Sequence, residues 1–68
     1  MRPPVQPDDL VRMKNDAGQL KKGENVRVMG FRPCENYPVL VESSRPSHYV
    51  PGERIRVWVA WREIERVA

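Results

Sequence analysis

Hydrophobic and polar positions alternate with a period of two in four stretches of this 68-residue chain. The clearest is near the end, where Ile55, Val57, Val59 and Trp61 alternate with Arg56, Trp58 and Ala60. That spacing predicts a strand with one buried face, and it places Trp61 with the buried set. The spacing then changes. Trp61, Ile64 and Val67 stand three apart, as a tight helical turn would place them. A strand, a short turn and a final apolar residue together suit the closure of a small β-barrel.

Earlier in the chain, Asp8–Lys14 reads as a strand with Val11 and Met13 inside and Arg12 and Lys14 outside. A helical reading would instead line up Leu10, Met13, Ala17 and Leu20 behind an Asp8 or Asp9 cap. The turn-rich Asn15-Asp16-Ala17-Gly18 argues against that continuity, so the strand is favoured. Lys21-Lys22-Gly23-Glu24 predicts a polar turn. Asn25–Phe31 predicts a second strand, with Val26 and Val28 inside, Arg27 and Met29 outside, and Gly30 at a bulge or bend. After a loop at 32–36, Tyr37–Glu42 predicts a third strand with Val39 and Val41 on one face and Pro38 at its start or on an edge. Ser43–Arg54 holds Pro46, Pro51 and Gly52 and predicts a long irregular loop, with a turn at Pro51-Gly52. At the other end, Met1–Pro7 carries Pro3, Pro4 and Pro7. It reads as an extended arm leading into a single domain over 8–68, and its Pro4-Val5-Gln6-Pro7 fits P-x-x-P.

Four strands, a helical turn and a last short strand predict an all-β fold, a small five-stranded SH3-like barrel. Within such barrels the layout resembles the family that includes the small E-type subunit of photosystem I and the variable chain of ferredoxin-thioredoxin reductase. The likeness is carried by a short first strand (Leu10–Lys14), the V-x-V of Val26–Val28, the Y-P-V-L-V of Tyr37–Val41 and the ending Trp61–Val67. It spans about residues 8–68 and departs in Arg45–Arg54 and in the Pro-rich arm. It therefore implies the fold, and it implies neither partners nor functional residues.

Composition narrows the functional classes. A chain this short buries only about 60% of its unfolded surface, which leaves little room for a deep catalytic pocket. Twelve Lys and Arg, nine of them Arg, against nine Asp and Glu give a net charge of +3. That suits nucleic acid or an ordinary soluble surface. The single cysteine, Cys34, excludes an intramolecular disulfide. No signal-type apolar segment and no run of about 20 apolar residues is present, so a soluble, cytoplasmic protein without membrane contact is expected.

Candidate chemistry is sparse. His48, the only histidine, has serines nearby but no nucleophile motif. Cys34 lies between Arg32 and Glu35, whose charges oppose each other in setting its pKa. Neither metal-ligand spacing nor a phosphate loop occurs, and no cofactor is expected. The reading is a non-catalytic binding module, as a monomer or small homo-oligomer. Trp58 and Arg56 fall on the strand face opposite the core, where an exposed Trp could stack a base or anchor a peptide. Alternatively, the 43–54 segment folds over Trp58. Arg27, Arg32, Arg45, Arg54 and Arg56 are candidate phosphate contacts, with Tyr37, His48 and Tyr49 at loop positions beside them. Nucleic acid is the first expectation on charge and Arg content. A protein-interaction subunit or adaptor of a larger complex is the alternative.

Overall fold

A computed structural model describes residues 5–33 and 35–67. Pro3, the Pro4 that opens the P-x-x-P stretch, and Cys34 lie outside the described residues. The fold is all-β. Its strands are β1 (Leu10–Met13), β2 (Asn25–Phe31), β3 (Val39–Pro46), β4 (Arg54–Val59) and β5 (Ile64–Arg66), with a 3-10 turn over Trp61–Glu63. All neighbours are antiparallel and the order across the sheet is β4-β3-β2-β1-β5.

The core follows the alternation. Val11 pairs with Val26, Val28 with Val41, Val41 in turn with Val57, and Val39 with Val59. All of these are buried except Val57, which is half-buried against the cluster. Each fully buried Val contributes roughly 1.5–3 kcal/mol of transfer free energy. The strand reading of residues 8–14 holds. The Met13 amide donates to the Glu24 carbonyl at 2.9 Å, and Leu10, which a helical stripe would bury, is 54% exposed. Leu20 reaches the core by another route. Ala17 and Leu20 exchange backbone hydrogen bonds of 3.0 and 2.9 Å, and this tight turn drives the Leu20 side chain inward. The same turn lays Gly18 (φ 57°) against Val57, where a Cβ would meet a methyl at 3.4 Å. The β2–β3 register shifts between Val28 and Gly30, so the bulge expected at Gly30 is present.

Two expectations are corrected. The third strand does not end at Glu42, because β3 runs on to Pro46 and the irregular segment shrinks to 47–53. Ser43 continues the inward parity of Val39 and Val41, and its hydroxyl is satisfied by Glu24. Between the pairs Glu42↔Arg56 and Pro46↔Arg54, three residues of β3 oppose Ile55 alone. That bulge lets β3 keep its pairing while Arg45 turns toward Glu24. Trp61 is the second correction. It is not core but 41% exposed, while Ala60 is buried. The strand stops at Val59, and the 3-10 turn that follows no longer alternates sides. Ala60 and Glu63 close that turn, the Glu63 amide donating to the Ala60 carbonyl (3.0 Å) and the Ala60 amide to Glu63 Oε1 (2.9 Å).

Candidate binding surfaces

Strand register sorts the nine candidate residues. The row Phe31–Val39–Val59 defines one end of the sheet, and Pro46–Arg54 defines the other. Five residue steps of β4 separate the two rows, roughly 17 Å at the usual rise per residue. Arg32, Tyr37 and Trp58 sit at the first end. Arg45, His48, Tyr49 and Arg54 sit at the second, and Arg27 and Arg56 lie between them in one row with Glu42. The structure therefore does not gather the nine into one site.

Two of the arginines are tied to acids. Arg45 forms a fork on Glu24, with Nε to Oε2 at 2.9 Å and Nη2 to Oε1 at 2.7 Å, and Nη2 also donates to the Gln19 carbonyl at 2.7 Å. The Ser43 hydroxyl and the Lys21 amide also donate to this carboxylate. Together they hold the Glu24 carboxyl down at about 2, against an ordinary value of 4.5. Arg45 is the largest cause, and partial burial opposes it. Arg45 thus joins the turn before β2 to β3. Arg56 Nε donates to Glu42 Oε2 at 2.9 Å, across the row that pairs their strands. That bond raises the Arg56 pKa and pairs its charge with the Glu42 carboxylate.

Trp58 is half-buried beside Leu40. The Arg32 guanidinium stands 4.2 Å from the ring centroid. Arg32 is itself anchored, since its Nε donates to the Tyr37 carbonyl (3.0 Å) and its amide to the Pro38 carbonyl (2.8 Å). These bonds close the β2–β3 loop and hold a cation over the indole. Tyr37 is exposed in the same loop.

The features missed in the sequence lie at this same end. Phe31 and Trp61 stack with centroids 5.7 Å apart and planes 23° from parallel, and they are 43% and 41% exposed. Next to Trp61 a small crevice is lined by Val5, Val11, Ile64, Glu65 and Arg66. A sequence signal did exist: Phe31 ends β2 and Trp61 lies just past the end of β4, where alternation ceases to assign a side.

At the far end, the backbone amide of His48 donates to Gln19 Oε1 (3.3 Å), while Tyr49 is exposed on the 47–53 turn. Arg27 and Arg54 line a shallow cleft of about 90 Å³ with Leu10, Glu42 and Ser44. Among the described residues no group of His, Cys, Asp and Glu could hold a metal ion, and no helix is long and apolar enough to cross a membrane. Comparison of the chain with protein-family models, with curated proteins and with solved structures finds no match.

Proposed function

We propose that the chain is a non-catalytic protein-interaction module that binds an extended, apolar segment of a partner protein at the Phe31–Trp61 end of the sheet. The stacked, half-exposed Phe31–Trp61 pair carries this reading. Large aromatics fixed in place at little entropic cost are the side chains that dominate protein interfaces. Arg32, held over Trp58 at the same end of the sheet, supplies a positioned cation for an acidic residue of the partner. The strand order, with a 3-10 turn between β4 and β5, supports counting the domain among SH3-like small barrels. Barrels of that kind use aromatic-lined surfaces for extended ligands.

Nucleic acid becomes the second reading. It rests on Arg27 and Arg54, whose cleft could meet a phosphate, but Glu42 lines that cleft as well. Arg45 and Arg56 are engaged by carboxylates, and the Trp58 ring already carries a cation.

Selection from a random-peptide library, followed by titration, tests the proposal. Selected peptides should be apolar with an acidic residue, and Trp61→Ala should abolish their binding while leaving the circular dichroism spectrum unchanged. Salt-sensitive binding of oligonucleotides, lost in Arg27→Ala and Arg54→Ala and kept in Trp61→Ala, would establish the second reading instead.

A further inference from the structure

The two ends of the sheet order are unlike each other. The β5 edge is three residues long and carries Glu65 and Arg66, so it offers little to pair with. The β4 edge is six residues long, Arg-Ile-Arg-Val-Trp-Val, with no proline and no glycine. Among the described residues, β3 alone pairs with it, and no loop backbone bonds to its other side. Proteins ordinarily blunt such an edge with a charge, a proline or a covering loop. Here the central charge is drawn away from the edge, because Arg56 reaches inward across the sheet to Glu42. The residue types are strong strand formers.

We infer that β4 pairs antiparallel with β4 of a second copy of this chain, about a two-fold axis at Val57. The occupant follows from self-complementarity. In an antiparallel pair, residues directly opposite point to the same side of the sheet, so a two-fold axis must pass through one residue type and its own copy. An axis at Arg56 sets two arginines face to face, which is unfavourable. An axis at Val57 keeps nearly the whole strand in register. It places Ile55 opposite the partner's Val59 on the core side and Arg56 opposite the partner's Trp58 on the outer side. Val57, partly buried in the single chain against the core and the Gly18 turn, then meets its own copy. The pairing forms about four to six interchain backbone hydrogen bonds, depending on which residues turn their amides outward. The two sheets become one of ten strands. The contact is small for a stable assembly, so the dimer is concentration-dependent. Trp58, under Arg32, belongs both to this pairing and to the surface proposed above, but the inference does not rest on that function.

The test uses the full chain with Cys34 replaced by serine. Analytical ultracentrifugation from micromolar to millimolar protein should show a dimer fraction that rises with concentration. Under mild oxidation, Val57→Cys in that background should give a covalent dimer on a non-reducing gel, because opposed residues in such a pair lie about 4.5–5.5 Å apart. Arg54→Cys, opposed to Ala60 in this register, should give at least tenfold less. A chain that stays monomeric throughout the range overturns the inference. So does a dimer that Arg54→Cys captures as well as Val57→Cys, since the β4 register would then be wrong. A Val57→Cys chain that fails to fold, shown by its circular dichroism, is replaced by amide exchange on the unsubstituted protein. Slowing of β4 amides with rising concentration supports the pairing, and unchanged exchange overturns it.

Discussion

Replacing Glu24 by glutamine removes one charge from the cluster that joins the turn before β2 to the far half of β3. The carboxylate accepts from Arg45 Nε (2.9 Å) and Nη2 (2.7 Å), from the Ser43 hydroxyl and from the Lys21 amide. Its side chain is 16% exposed. Holding the folded carboxyl at about 2, against 4.5 when unfolded, corresponds to about 3 kcal/mol of stability at neutral pH. Arg45 lies in part at the surface, where solvent screens its charge, so about 2 kcal/mol is the expected loss in Glu24→Gln. A domain of this length has only roughly 3–10 kcal/mol in all, so the melting temperature should fall by about 10 °C. The pH dependence identifies the cause. Because the folded pKa is depressed, the contribution is complete above 4.5 and is lost as pH falls toward 2. Urea unfolding of both proteins between pH 7 and pH 2 should therefore show their stability difference shrinking over that interval. A difference below about 0.5 kcal/mol at pH 7, or one that does not change between pH 5 and pH 2, would refute the assignment.

Three further outcomes are expected. Val41→Ala, at a fully buried site in the middle of β3, should cost about 2–3 kcal/mol in urea unfolding, whereas Leu10→Ala on the exposed side of β1 should stay within about 0.5 kcal/mol of the parent. Gly18→Ala should cost about 1–2 kcal/mol by the same measurement, because its backbone is left-handed (φ 57°), a conformation that alanine adopts only at a cost. Trp61→Ala should lower stability by about 1 kcal/mol, the value of an exposed aromatic stack on Phe31, and a loss above about 3 kcal/mol would return Trp61 to the core.

The strands were legible wherever one face is apolar and the other polar. Val26 and Val28 against Arg27 and Met29 placed β2 over Asn25–Phe31, with the bulge at Gly30. The second half of β3 was not legible, because Ser43, Ser44 and Arg45 look like loop residues. Ser43 is tolerated inside only because Glu24, 19 residues earlier, accepts its hydrogen bond, and no local pattern carries that fact. Alternation places Trp61 in the core only if the strand runs past Val59, and the chain leaves the strand there. Of the candidate binding residues, the sequence showed the types but not their availability. Arg45 and Arg56 read as free cations, and each proves to have a carboxylate.

By itself, the sequence determined an all-β chain, its five strands and the 3-10 turn before the last. Those depend on side-chain alternation and turn residues a few positions apart, so a local reading suffices. Only the tertiary structure decided which charges are paired and which aromatics are left over. Antiparallel register brings Glu42 to Arg56 and Glu24 to Arg45, and it carries Phe31 to within stacking distance of Trp61, 30 residues away. A surface assembled across strands is a property of their pairing, and pairing joins residues that the chain holds far apart.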